Sequence, residues 1–339
     1  MMKRYLLGGN GYFYKANLHV HSTVSDGCWT PEQIKEEYQK RGYSIIAFTD
    51  HNVMVSHNEL TDENFLALTA YELNINAPNR ITKDEFIKTY HLNFYAKDKN
   101  KAITPVFHPA FVWGNAVQYV SDAQKKIQYE MEYSLDCVNK IIEIMNADGF
   151  LVTYNHPTWS LQNHLDYMGL KGLWGCEVYN AGADLEGLRD TDIPFTDLLF
   201  EGNKIIPIAS DDAHSIDTAF FGFSMIEAKS LDYDEVISAM EQGNIYSSTG
   251  PLINEISVES GIMTIKCDGA RCITLISERR WTKSVRGEHI TQVQFDLKEY
   301  LEDNAKYHPS VTYIRIVVED GFGRKAWTRG YQEHELKER

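Results

Sequence analysis

The sequence has few cysteines, no long apolar run and little positive charge. Its five cysteines are an odd number without CxxC spacing, which argues against a disulfide framework and against a zinc site built from thiolates. No stretch approaches the roughly 18 apolar residues of a membrane span, and the N-terminal residues lack the apolar core of a signal peptide. These absences predict a protein of the reducing cytoplasm, without a membrane partner.

Basic residues are outnumbered by acidic ones. Lysine and arginine total 33 against 48 aspartates and glutamates, and the formal net charge is -15. Nonspecific binding to nucleic acid depends on clusters of Lys and Arg that neutralise phosphates. The charge therefore argues against a nucleic-acid polymer as a partner and favours a small-molecule substrate, while the oligomeric state stays open.

Short apolar runs alternate with helical patterns through the first 250 residues. Thr30 and Pro31 are typical of a helix start and Gly42 of a helix end, and a longer helical pattern covers about residues 123–145. The predicted strands are nearly continuous apolar runs, as expected for strands buried on both faces. They cover residues 17–21, 44–49, 66–71, 90–96, 150–155, 175–180 and 204–210.

Strands that alternate with helices favour βαβ units and a largely parallel sheet. We therefore predict an α/β fold in which about seven strands close into a (β/α)7 barrel. The link from Glu72 to His91 is too short and polar for a full crossover helix, so the barrel is expected to be distorted.

The pattern changes after Pro251. From there the apolar and polar residues alternate between turn residues, which is typical of a small antiparallel sheet. We predict a barrel domain over residues 1–250 and a β-rich accessory domain over residues 251–339. Such a domain either covers a face of the barrel, supplies a dimer contact or recognises a partner.

Side chains of the types that bind metals lie at or near the ends of several predicted strands. His19 and His21 flank Val20, so in an extended strand both imidazoles point to one face. Strand ends are where an α/β barrel builds its active site, because the loops there meet at one mouth. The candidates found in this way are His19, His21, Asp26, Asp50, His51, Glu72, His156, Asp211, Asp212 and His214.

Imidazole and carboxylate without thiolate suit zinc, manganese or iron rather than a closed structural zinc site. The number of candidates is enough for two or three divalent ions, with a carboxylate such as Glu72 shared by a pair. Asp50 and Asp211 each neighbour a better candidate, so orienting a ligand imidazole is as good an interpretation for them as coordination. His91 lies inside a predicted strand, and periodicity alone does not decide its role.

The ordered motifs resemble those of the PHP (polymerase and histidinol phosphatase) superfamily. The resemblance covers about residues 13–250 and rests on NLHVHSTVSDG, GYSIIAFTDHN, YEL, HLNFYA, NHP and ASDDAH. Within the superfamily, the carbaryl-hydrolase-like branch is the most similar in detail, through YFYKANLHVHSTVSDG, EVYNAG and YSSTGP.

The resemblance implies a distorted (β/α)7 barrel with up to three metal ions at the C-terminal ends of its strands. It also selects His91 as a ligand and Asp212 over Asp211. The implied groups are His19, His21, Glu72 and Asp212 for one ion, Glu72, His91 and His156 for a second, and Asp26, His51 and His214 for a third.

The usual chemistry of the family is the hydrolysis of phosphate esters, and the resemblance therefore predicts a metal-dependent phosphoesterase. Its nucleophile would be a hydroxide held between two ions that attacks phosphorus, so no side chain is itself assigned as catalytic. One alternative is a carboxyl-ester or carbamate hydrolase, since the same hydroxide can attack a carbonyl group. A third is a non-catalytic metal-containing binding protein.

Four further residues are candidates for contact with the substrate. Arg189 follows the sixth predicted strand and could supply a cation to a phosphate, and the others lie at strand ends, namely Asn155, Tyr179 and Asn180. A surface salt bridge is an equally good interpretation for Arg189, and packing is one for Tyr179.

Overall fold

The computed structural model describes residues 3–78, 88–188, 191–280, 282–302 and 311–337. Its strands in these ranges are β1 (Arg4–Leu7), β2 (Tyr12–Val20), β3 (Ile45–Phe48), β4 (Leu66–Asn76), β5 (Thr89–Ala96), β6 (Phe150–Tyr154), β7 (Gly175–Asn180), β8 (Ile206–Ser210), β9 (Phe223–Ala228), β10 (Ile245–Ser248), β11 (Ile253–Glu259), β12 (Ile262–Ser277), β13 (Lys283–Asp296), β14 (Tyr313–Glu319), β15 (Lys325–Thr328) and β16 (Tyr331–Gln332).

The α-helices are short, and none in the described parts of the chain has the length and apolar character to cross a bilayer. Thr30 caps the first helix as predicted, because its hydroxyl accepts from the Gln33 amide while the Gln33 side chain accepts from the Thr30 amide. The helices are α1 (Pro31–Gln39), α2 (Leu135–Ala147), α3 (His164–Tyr167), α4 (Ala181–Leu185), α5 (Ile193–Phe200), α6 (Tyr233–Gln242), α7 (Lys298–Leu301) and α8 (Glu333–Leu336).

Helix α2 begins later than the helical pattern over residues 123–145 predicts. The backbone of Ser134 is extended, and its side chain caps the helix by accepting from the amide of Cys137. Upstream, residues 124–126 form a single 3-10 turn. Apolar spacing continues through this turn, but the serine cap fixes where the α-helix starts.

The mixed α/β architecture is confirmed, but a (β/α)7 barrel is not. The strands follow the hydrogen-bonded order β1-β11-β12-β14-β15-β10-β9-β2-β3-β4-β5-β6-β7-β8. Parallel pairing is confined to β2-β3-β4 and β6-β7-β8. The sheet is not closed. At its β8 end, the loop residue Ala213 meets Val20 of β2 through an isolated bridge.

The departure from a regular barrel begins between β4 and β5. The segment between these strands is too short for a helical crossover, and β5 returns beside β4 as an antiparallel neighbour. The register places Glu72 opposite Asn93 and Asn74 opposite His91. Because side chains two apart on a strand share a face, His91 lies on the same face of the sheet as Glu72.

Beyond Pro251 the described strands pair antiparallel, with β12 between β11 and β14 and with β13 also on β12. Strand β15 continues the sheet into β10. A second link is the side chain of Arg315 on β14, which is 4% exposed and donates to Asp192 at 3.0 Å and to Thr196 at 2.9 Å.

Two hydrophobic clusters support the strands that carry the candidate residues. Ile141 and Ile142 of α2 pack with Phe94 of β5 and Phe150 of β6 in one cluster. The other surrounds Leu18 of β2 and includes apolar residues of β3, β4, β8, β9 and α6. Both clusters are buried, so the strand ends that lead into the candidate site are held rigidly.

Candidate metal centre

The nine residues predicted as metal ligands come together around Glu72, which is fully buried on β4. Its Oε1 atom lies 3.3 Å from His19 Nε2, 3.0 Å from His91 Nδ1 and 3.1 Å from His156 Nε2. Its Oε2 atom lies 3.1 Å from His51 Nδ1. One carboxylate therefore faces imidazoles that come from four different segments of the chain.

Asp212 closes the cluster from the loop after β8. Its Oδ1 atom lies 3.2 Å from His19 Nε2 and 2.9 Å from His21 Nε2. Asp212 has a φ of 51° and His156 a φ of 22°, and non-glycine residues in such conformations cost about 1–3 kcal/mol each. This backbone strain directs both side chains towards the shared space.

A second group lies beside the first and is more open to solvent. Asp26 Oδ2 is 3.7 Å from His51 Nε2 and 3.5 Å from His214 Nε2, and Asp26 Oδ1 is 3.7 Å from His21 Nδ1. The His21 and His214 rings stack with their centroids 4.2 Å apart. Ligand atoms of these four residues all lie within 4.8 Å of one another, which is close enough for a single ion.

Several buried atoms of the centre have no hydrogen-bond partner in the protein. Such atoms each cost about 1–3 kcal/mol if they stay unpaired, because their hydration is lost. Some of these atoms lie close to a polar atom of a neighbouring ligand residue without forming a hydrogen bond to it. The unpaired atoms are His19 Nε2, His21 Nδ1, His21 Nε2, Glu72 Oε2 and Asp212 Oδ1. These lone nitrogen and oxygen atoms converge on shared space, and the residues fit divalent ions.

The carboxylates at the centre are held in their ionised form. Burial alone would raise the pKa of Glu72, but His91 and the other facing imidazoles hold that pKa well below its usual range. The pKa of Asp212 is likewise held low, against the effect of burial, by His19. Burial and neighbouring imidazoles lower the pKa of His21 to about 3. Against the effect of burial, Glu72 raises the pKa of His156 to about 9. Metal binding at the centre is therefore coupled to the loss of a proton from that imidazole.

Glu177 on β7 is a central residue that the sequence analysis did not identify. It is fully buried, its Oε1 atom lies 2.9 Å from His19 Nδ1, and its Oε2 atom accepts from the backbone amide of His156 at 2.8 Å. Ser210 and Asn180 also donate to this carboxylate. The only local signal is an acidic residue inside the apolar strand GCEVYN.

Asn74 was also missed, and it links two imidazoles. Its Oδ1 atom lies 3.0 Å from His51 Nδ1, and its Nδ2 atom lies 2.7 Å from His91 Nε2. Asn155, predicted to contact the substrate, instead donates from Nδ2 to Glu72 Oε1 at 2.9 Å. These amides orient the ring and carboxylate groups of the centre.

Two of the remaining substrate candidates, Asn180 and Tyr179, have contacts that support the fold. Asn180 donates to Glu177 and accepts from the backbone amide of Ala183. Tyr179 packs against the hydrophobic cluster that contains α2. Arg189 lies outside the described residues.

Asp50 and Asp211 hold loops and orient no imidazole. Asp50 accepts from the backbone amides and the hydroxyls of Ser22 and Ser25, in the loop that carries Asp26. Asp211 accepts from the backbone amides of residues 220–222, from Asn17 and from Tyr38. Their position next to better candidates therefore reflects loop structure.

Comparison with solved structures finds distant similarities. A two-domain protein from Bacteroides vulgatus, which contains a predicted PHP-like metal-dependent phosphoesterase, is 13% identical over 87% of this chain and 88% of its own, with a TM-score of 0.45. A lesion-specific endonuclease from Pyrococcus furiosus is 15% identical over 68% of this chain and 56% of its own, with a TM-score of 0.40. No curated protein matches the chain.

The comparison with family models identifies one domain of the chain. The family model of the PHP domain matches residues 17–246. This range contains all nine residues that surround Glu72 or line the adjoining group. The match spans more than half of the 339 residues, and the chain therefore belongs to the PHP domain family.

Proposed function

We propose that this protein is a metal-dependent hydrolase, and more specifically a phosphoesterase that acts on a small phosphorylated molecule. The observation that carries the proposal is the set of unpaired, buried nitrogen and oxygen atoms that converge around Glu72. Single atoms of this kind occur elsewhere in the protein, but only here do five of them, on two histidines and two carboxylates, converge among the described residues. We also propose that, within the family, the protein belongs to the carbaryl-hydrolase-like branch.

The centre is proposed to hold two or three divalent ions of zinc, manganese or iron. Glu72 would be shared between two of them, since it lies beside His19 of one proposed group and beside His91 and His156 of the next. The ligand groups proposed are His19, His21, Glu72 and Asp212, then Glu72, His91 and His156, and finally Asp26, His51 and His214. We further propose that residues 1–250 form the metal-binding domain and that residues 251–339 form an accessory domain.

When bound, divalent ions act as Lewis acids that lower the pKa of water to about 7, which supplies the nucleophile, and that neutralise charge on phosphoryl oxygens. The residues of the chain fix the geometry. Glu177 holds His19 Nδ1, so that His19 Nε2 points into the centre. The backbone carbonyl of Asp212 holds His214 Nδ1 in the same way, at 2.9 Å.

Replacing Glu177 by glutamine is expected to weaken metal binding about 10–100-fold, the usual effect of losing a partner that orients a ligand. The side chain keeps its size, but the carboxylate that fixes the ring of His19 is lost. Competition with a chromophoric chelator measures the affinity. Glu227→Gln is the matched control, because Glu227 is buried on β9 and bonds only the amides of Gly8 and Asn10. Equal affinities in the two variants would contradict the assigned role.

The substrate class is tested with a panel of sugar phosphates, nucleotides, aryl phosphates, aryl acetates and aryl carbamates, each assayed with manganese, zinc and iron. Turnover is expected for phosphate esters and is expected to stop when the metal is chelated. Turnover confined to acetates or carbamates would replace the phosphoesterase proposal by the carbonyl-ester alternative. Hydrolysis that persists after complete chelation would remove the metal from the mechanism.

A further inference from the structure

Two tryptophans lie directly beside the histidines of the centre. The ring of Trp113 is 5.8 Å from the ring of His51, between centroids. The ring of Trp159 is 5.5 Å from that of His91 and 5.2 Å from that of His156. Each indole therefore touches imidazoles that are proposed to hold an ion.

Both indoles remain accessible. Trp113 is 49% exposed, and Trp159 is half-buried. Large apolar side chains are normally removed from water, and exposed ones beside a polar site mark contact with a ligand. The neighbouring Phe111 is 40% exposed as well, so the apolar character extends along this rim.

The two rings are held in place by different parts of the chain. Trp159 donates from Nε1 to Glu186 Oε2 at 3.0 Å. The segment that carries Trp113 is anchored where Asn52, the neighbour of His51, donates to the backbone carbonyl of Phe111 at 3.2 Å. Fixed aromatic faces cost little entropy when a ligand packs on them.

None of the ion pairs among the described residues joins a lysine or an arginine to any of the nine residues of the centre. The residues next to the centre thus offer aromatic faces to the part of the substrate that is not bound by the ions.

We propose that Trp113 and Trp159 determine specificity by binding a planar aromatic leaving group attached directly to the hydrolysed ester oxygen. The proposal rests on the proposed function, since it places the phosphoryl group at the centre. Because both indoles contact the ligand histidines, the proposal places the aromatic ring next to the ester oxygen. In a nucleotide a ribose separates the base from the phosphate, so the geometry favours aryl phosphates over nucleotides.

Binding is tested on metal-loaded protein with phenylphosphonate and ethylphosphonate, which are not hydrolysed. We expect the wild type to bind phenylphosphonate about tenfold more tightly, as two aromatic contacts allow. Trp113→Ala and Trp159→Ala should each reduce this preference to about threefold, and the double variant should abolish it. Trp159→Phe should retain most of it. Titration calorimetry gives the affinities, and metal content verifies that each variant is folded and loaded.

The kinetic test compares kcat/KM for phenyl phosphate, ethyl phosphate and a nucleoside 5'-monophosphate across the same variants. The ratio of phenyl to ethyl turnover should fall about tenfold in the double variant, and the ratio is the measure because losing an indole beside the histidines changes turnover of both substrates. Phe322→Ala is the matched control, since Phe322 is 87% exposed and lies in the turn between β14 and β15.

Failure of this inference and failure of the proposed function give different results. Equal binding of the two phosphonates, or a preference unchanged in the double variant, would overturn the inference while phosphate hydrolysis stands. A preference for the nucleotide over phenyl phosphate would also overturn it. Absence of hydrolysis with the binding preference intact would instead overturn the proposed function. Failure to bind either phosphonate would count against both.

Discussion

Glu72→Gln is expected to lower hydrolytic activity by at least about a hundredfold and to remove at least one equivalent of metal per chain. Loss of a residue that merely orients a ligand already costs about 10–100-fold, and Glu72 touches the imidazoles directly. Its two oxygens lie within 3.3 Å of His19, His51, His91 and His156. A glutamine of the same size offers one acceptor and no charge, so it cannot serve two ions.

Metal analysis of the purified variant, together with its kcat and KM, makes the measurement. Glu227→Gln again serves as the control. Glu227 is also a buried glutamate on a strand, but its carboxylate accepts from the backbone amides of Gly8 and Asn10. A Glu72→Gln protein with full metal content and wild-type turnover would remove Glu72 from the centre and with it the proposed sharing of ions.

Removal of metal from the wild type is expected to lower the free energy of unfolding by about 4 kcal/mol for each bound ion, when the free metal concentration is a thousand times the Kd of its site. For a chain of this size the corresponding fall in Tm is about 6 °C. The physical reason is that the buried atoms without hydrogen-bond partners would again lack a partner after an ion is removed. Thermal unfolding before and after dialysis against a chelator measures the effect, and added zinc or manganese should reverse it.

The Glu72→Gln protein provides the comparison for this experiment. Its Tm should respond much less to the chelator, because fewer ions remain to be removed. If the wild type lost all of its metal and kept its Tm, the ions would contribute nothing to the fold. A drop of equal size in both proteins would place the stabilising metal elsewhere in the chain.

Local sequence spacing was sufficient to find most of the residues that surround Glu72. His19 and His21 are two apart in a strand, and the spacing alone puts both imidazoles on one face. Asp212 and His214 repeat that spacing after β8. Strand ends in a mixed α/β fold converge, so the candidates drawn from separate segments could be expected to meet.

His91 shows where local spacing stops being informative. It lies inside β5, and its own periodicity does not say which face it occupies. The antiparallel register with β4 places it opposite Asn74 and on the face of Glu72. The same antiparallel pairing interrupts the parallel strand order of a (β/α)7 barrel.

The sequence by itself determined the family, the mixed α/β class and the chemical types of the candidate ligands, because these follow from residue identity and short-range spacing. Only the tertiary structure revealed the contacts of Glu177 and Asn74 with the histidines. It also showed that Asp50 and Asp211 hold loops. It placed Trp113 and Trp159 beside the histidines. Most of those contacts join segments more than 20 residues apart in the chain. Long-range strand register and loop packing create them, and no local pattern encodes either.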